Sequence, residues 1–175
     1  MRYVLERLQR EKLLINVKKC TFMKTKLVYL GFVISRDGLK MDPKKVQAII
    51  DWPSPRNILE VRSFHGLASF YRKFIKNFSG ICAYIVEKIK KEKQPFQWTA
   101  EAERSFQFLK KKITEKPVLK LPDFNHPFQV KCDASGVAIR AVLSQEDKPI
   151  AYFSEKLNDA KKKYSSWIFM LLFKQ

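Results

Sequence analysis

Apolar and polar positions along the chain change period several times, and each change marks an element. In "YVLERLQREKLLI" (3–15), Val4, Leu5, Leu8 and Leu13 recur at roughly helical spacing, which predicts a short amphipathic helix. "KLVYLGFVIS" (26–35) is instead rich in β-branched and aromatic residues and is interrupted by Gly31, so two short strands or one bent strand are expected. "RDG" (36–38) reads as a turn. The helical period returns in "MDPKKVQAIIDW" (41–52), with Val46, Ile49 and Ile50 as the buried stripe. Asp42 is placed to cap that helix and Pro43 to fill its first position, where a missing N–H costs nothing. The two prolines of "WPSPRN" (52–57) end it. Asn57 then caps the next helix, with Glu60 three residues on, close to a capping box.

That next helix, "ILEVRSFHGLASFYRKFI" (58–75), carries two stripes. Val61, Phe64, Leu67, Ala68, Tyr71, Phe74 and Ile75 form an apolar face. Arg62, Gly66, Ser69 and Lys73 form another line. A glycine inside a helix costs about 1 kcal/mol relative to alanine, so Gly66 needs a reason. Either another helix packs closely there, or the stripe lets a phosphate backbone come close. The residues alone leave both open.

"EKIKKEKQ" (87–94) reads as a solvated helix end and linker. "FQWTAEAERSFQFLKKKI" (96–113) is a helix capped by Thr99, with acids at 101 and 103 in its first turn and lysines at 110–112 in its last, matching the helix dipole. "EKPVLKLPDFNHP" (115–127) is extended and leads to a hairpin, "FQVKCDASGVAIRAVLSQ" (128–145), and a further strand, "PIAYFSEKL" (149–157).

Charge narrows the partner. The 175 residues hold 35 Lys+Arg against 17 Asp+Glu, a net charge of +18. The excess is positive in every third of the chain rather than gathered in a tail. Such a chain fits a polyanion, most simply nucleic acid. Cys20, Cys82 and Cys132 lie far apart with no CxxC pair, and His65 and His126 stand alone, so neither a zinc site nor a disulfide framework is expected. A reduced, intracellular protein is expected, in cytoplasm or nucleus. No secretory signal is read at the start, and "WIFMLLF" (167–173) is too short to span a bilayer.

The order of the pieces resembles one family: the Pol polyprotein of gypsy-class LTR retrotransposons, from the end of the reverse transcriptase into its RNase H domain. The stretches that carry the resemblance are "NVKKCTF" (16–22), "YLGFVIS" (29–35), "MDPKKVQAIIDWPSP" (41–55), "RSFHGLASFYRKFIKNFS" (62–79), "FQWTAEAERSFQFLK" (96–110), "PVLKLPDFNHPFQVKCDASG" (117–136) and "PIAYFSEKLNDAKKKYSSW" (149–167). The resemblance implies an α+β fold in four parts. Residues 1–40 resemble the end of the palm with a primer-grip-like hairpin, 41–93 the helical thumb, 94–127 a connecting segment, and 128–175 an incomplete RNase H-like sheet with one helix. Tyr29, Leu30 and Gly31 match the primer grip. The helix at 58–75 matches the one lying in the minor groove of the template–primer duplex, which favours duplex contact for Arg62, Gly66, Ser69 and Lys73 and adds Phe70. His65 stands where relatives usually have leucine.

The same resemblance implies what is missing. The family's polymerase holds two metals through palm aspartates, one in a YxDD motif; this chain starts after that motif and has no "DD" pair, so no polymerase chemistry is expected. Asp133 matches the first of the RNase H carboxylates. The glutamate expected six residues after Tyr164 is Met170, the adjacent acidic position is Ile168, and Ala138 and Arg140 stand where glycines are usual. Asp123, Asp147, Glu155 and Asp159 match no ligand position and read as surface acids. If Asp133 faces Ala138 across the hairpin, Lys131 faces Arg140, and Arg140 shares the face of Asp133. The simpler role of Asp133 is to hold the turn by accepting bonds from Ser135 or Gly136.

The expectation is therefore a truncated, catalytically inactive fragment that still binds an RNA–DNA hybrid or DNA duplex. Mg²⁺ is the cofactor of the intact family, and no cofactor and no membrane partner are expected here. Two alternatives are a protein- or RNA-binding module derived from a retroelement and one part of a split polymerase completed by another chain.

Overall fold

The computed structural model describes residues 2–90, 95–115, 117–135 and 137–158. Helix α1 (Arg2–Arg10) leads through a stretch containing a 3₁₀ turn (Val17–Lys19) to three short strands, β1 (Lys26–Tyr29), β2 (Phe32–Ser35) and β3 (Gly38–Met41). They form an antiparallel sheet in sequence order. The "YLGF" break resolves into two strands joined at Leu30–Gly31, both at positive φ (47° and 77°). That is the turn whose twist suits a two-residue hairpin.

Strand β3 was not expected from the sequence. It pairs with β2 on one side and touches a distant residue on the other: Leu39 N–H donates to Leu119 O at 2.8 Å, and Leu119 N–H returns a bond to Leu39 O at 3.0 Å. Gly38 permits this approach, because a Cβ built there would collide with the Leu119 carbonyl.

The helical part follows as α2 (Pro43–Ile50), α3 (Ile58–Phe70), α4 (Phe78–Ile81), α5 (Ala83–Lys90) and α6 (Ala100–Thr114). All three expected caps form. Asp42 accepts from Lys44 N–H at 3.0 Å, Asn57 from Glu60 N–H at 2.9 Å, and Thr99 from Ala102 N–H at 3.4 Å. Glu60 reaches back to Arg56 N–H at 2.8 Å, completing the reciprocal arrangement one residue earlier than the standard box.

Two helix expectations need correction. The long helix ends at Phe70, not at 75: Tyr71 is its C-cap and Arg72–Phe74 tightens into a 3₁₀ turn. The tighter turn brings Phe74 and Ile75 into the core beside Tyr71. Helix α1 forms, but it buries no residue, and Leu13 lies beyond its end. Of its apolar stripe, Leu8 is half-buried and Val4 and Leu5 are exposed.

One hydrophobic core runs through the centre. Met41, Val46, Ile49, Val61, Phe64, Ala68, Tyr71, Phe74, Phe106, Leu109, Ile113 and Leu119 belong to it, and Phe32 and Leu39 pack against it. Each fully buried side chain of this kind contributes about 1.5–3 kcal/mol relative to exposure. Residues on both sides of the boundaries expected at 40 and 93 share this core.

The remaining strands, β4 (Gln129–Ala134), β5 (Ala138–Gln145) and β6 (Lys148–Lys156), make a second antiparallel sheet in sequence order. Its buried cluster is small, Ile139 and Leu157 with Ala134 against them. Buried Gln145 braces the preceding loop: its amide donates to Asp123 O at 2.7 Å and His126 O at 2.9 Å, and its carbonyl accepts from Asp123 N–H at 3.0 Å. The sheet meets the helices through β6, where Ser154 Oγ accepts from Ser79 N–H at 2.9 Å. The expected α+β class is the observed one, with helices between two small sheets. Among the described residues no helix is long and apolar enough to cross a membrane.

Candidate nucleic-acid interface

The turn at Leu30–Gly31 lies against α3, and the two border an open groove of about 570 Å³. Arg62, Gly66 and Phe70 supply the helix side, and Lys45 of α2 adds a second cation. The spacing explains the row: residues four apart on a helix stack on one face. Leu30 is 69% exposed at the rim and Phe70 49%. Tyr29, also exposed, sits one residue before the turn, at the end of β1.

A Cβ built at Gly66 meets nothing within 4 Å, so close packing on another helix does not explain the glycine among the described residues. The space it leaves opens outward, into the groove. Gly31 differs: a Cβ there would lie 3.1 Å from Phe70 Cε1 and 3.2 Å from Tyr71 Oη. It is required by close approach within the protein as well as by its positive φ.

Under the groove sits an aromatic cluster. Phe32 stacks on Phe70 at 4.8 Å between centroids and meets Tyr71 edge-on at 5.8 Å. Tyr71 Oη donates to Gly31 O at 2.9 Å. Burial, and secondarily the Asp42 carboxylate, push its phenol up to about 12, so it stays a donor at any ordinary pH. Lys73 was expected on the duplex stripe, but the 3₁₀ turn carries it elsewhere. Its Nζ lies 4.0 Å from the Phe32 ring centroid, and burial lowers its pKa.

Ser69 also leaves the row. It borders a separate cleft of about 870 Å³ with His65, Arg72, Ser79 and the end of β6. His65 is half-buried there and burial lowers its pKa, as fits a tolerated histidine on a helix flank. The structure thus brings Leu30, Gly31, Arg62, Gly66 and Phe70 together and sets Ser69 and Lys73 apart. Sequence reasoning missed Lys45 and the hydroxyl of Tyr71. Tyr71 stands on the apolar stripe, and periodicity reports a ring's burial but not where its hydroxyl points.

Asp133 lies near the end of β4, exposed. The register differs from the expected one by two residues: Asp133 faces Arg140, and Lys131 faces Val142. A two-residue shift preserves the face, so Arg140 still lies beside Asp133, and their side chains pair at 3.0 Å. Ser135 braces the turn, its Oγ accepting from Ala138 N–H at 3.2 Å, while Gly136, one of the donors expected for Asp133, lies outside the described residues. Asp123 pairs with His126 and Asp147 with Lys131. Positions 159, 168 and 170 lie outside the described residues.

Comparison with known proteins places this geometry. A family model described as an RNase H-like domain found in reverse transcriptase matches residues 98–172, starting inside the expected connecting segment. The chain is 40% identical, over 87% of its length, to the retrovirus-related Pol polyprotein from transposon gypsy of Drosophila melanogaster, covering 16% of that protein. It is 39% identical over 71% of its length to an uncharacterized mitochondrial protein of Arabidopsis thaliana, covering 79% of it. The chain belongs to the retrotransposon Pol polyprotein family.

As a Pol family member it spans about a sixth of the gypsy relative's length. Its fold superposes on the foamy viral protease–reverse transcriptase in complex with RNA/DNA hybrid, with a TM-score of 0.81 at 25% identity, covering 98% of this chain and 25% of that one. The same viral protein in complex with dsDNA gives 0.79 at 25% identity, covering 98% and 37%. Pol-type RNase H chemistry uses metal ions held by converging carboxylates. Asp133 is paired with Arg140 at 3.0 Å, and among the described residues no three His, Cys, Asp or Glu side chains converge. A single carboxylate holds Mg²⁺ weakly, since that ion keeps most of its water.

Proposed function

We propose that this Pol-family chain binds a nucleic-acid duplex, RNA–DNA hybrid or DNA, without sequence preference, and performs neither polymerisation nor RNA cleavage by itself. The groove between the Leu30–Gly31 turn and α3 carries the reading. Its helix side offers a cation at Arg62, open space at Gly66 and an aromatic edge at Phe70, which suits a sugar–phosphate backbone drawn close to a helix. The net charge of +18 supplies the long-range attraction. The pairing of Asp133 with Arg140, and the lack of a converging set of acids around it among the described residues, supports the absence of RNase H turnover.

Titration of a labelled hybrid at several salt concentrations tests the proposal. Affinity should fall linearly on a log–log plot, and Arg62→Ala should reduce the slope by about one. Gly66→Ala should stabilise the fold by about 0.5–1 kcal/mol. It should also weaken hybrid binding about tenfold, the effect of a ~1.4 kcal/mol intrusion. Binding insensitive to salt, or unchanged by both substitutions, rules out this groove. Hybrid incubated with Mg²⁺ or Mn²⁺ should stay intact, and cleavage lost in Asp133→Asn would refute the inactive reading.

A further inference from the structure

We propose that Tyr71 is a positioning residue: its hydroxyl latches the Leu30–Gly31 turn to α3, so that the two walls of the groove move as one body. The inference rests on the duplex-binding reading and names the device that sets the groove's width. The carbonyl of Gly31 accepts two bonds, from Asp42 N–H at 3.0 Å and from Tyr71 Oη at 2.9 Å. The first ties the turn to the strand exit before α2. The second ties it to the C-cap of α3, forty residues away in sequence.

The turn needs such a tie. Every residue of β1 is exposed, so that arm of the hairpin gains little from packing. Leu30 holds a left-handed backbone at φ 47°, a conformation unfavourable for a branched residue unless its surroundings fix it. The turn is also fixed by the β1–β2 ladder, the Asp42 bond and the ring of Phe32 under Phe70. Tyr71, at the end of α3, adds a hydrogen bond donated to the turn's own carbonyl, and its ring is held in the core whatever its hydroxyl does. Preorganisation of this kind raises affinity by removing an ordering cost at the moment of binding, without a contact to the ligand.

Tyr71→Phe isolates the hydroxyl and keeps the ring. Two readouts are taken on the full chain: the dissociation constant of a labelled RNA–DNA hybrid across salt concentrations, and amide exchange. Tyr71→Phe should weaken the hybrid about tenfold with the salt slope unchanged, since no phosphate contact is lost. The Asp42 amide should exchange about tenfold faster, while Val61 and Ile113 keep wild-type protection. A merely structural role would lower the melting temperature and leave hybrid affinity, measured well below it, as it was; that result overturns the proposal. A reduced salt slope also overturns it, by showing direct contact. If wild type itself fails to bind hybrid, the duplex reading falls, and unchanged Asp42 exchange in Tyr71→Phe would then remove the latch as well.

Discussion

Two hairpins in this chain look alike in sequence and differ in what surrounds them. Each pairs short alternating strands and carries a position of interest beside its turn, Gly31 in the first and Asp133 in the second. The first is packed onto the central core: Phe32 meets three aromatic rings, and Gly31 is bonded to two other elements. The second stands on a sheet whose buried cluster is small, and Asp133 meets a guanidinium from its own neighbouring strand. A residue becomes part of a site through what the fold brings opposite it. For Gly31 that is a helix face carrying Arg62, with open space at Gly66. For Asp133 it is one guanidinium in an exposed ion pair.

The contrast is open to breaking at three levels. Phe32→Ala should cost about 3 kcal/mol, since it empties the space among Phe70, Tyr71 and Phe74. Val130→Ala, on the exposed β4 of the second hairpin, should stay within about 0.5 kcal/mol. Urea unfolding of the two variants measures both, and equal losses would mean that the two hairpins are equally embedded.

Gly31→Ala should cost about 1–2 kcal/mol, combining left-handed backbone strain with contacts to Phe70 and Tyr71. Thermal unfolding reads it, and a neutral result would show that the turn yields freely. Asp133→Asn has the smallest expected effect, under about 0.5 kcal/mol, because both partners are largely solvated. A loss above 1 kcal/mol in the same urea assay would show the second hairpin to depend on its ion pair.

What the sequence determined by itself was local. The caps at Asp42, Asn57 and Thr99, the apolar stripe of α3 and the break at Gly31 were legible because each depends on residues a few positions apart. The family, too, was legible, since its motifs are contiguous. The cationic row on α3 was readable as a row, yet periodicity carried it to Lys73, beyond the point where the helix ends. That end, the strand β3 and the link from Tyr71 to Gly31 were decided by tertiary structure. Each satisfies a group whose partner lies far along the chain: Leu39 with Leu119, Gly31 with Tyr71 and Asp42. The register of the Asp133 hairpin belongs with them, for alternation fixes which face a side chain takes but not which residue it meets. Gly66 completes the division: the sequence marked it as costly within a helix, and only the tertiary structure showed that no described neighbour packs against it.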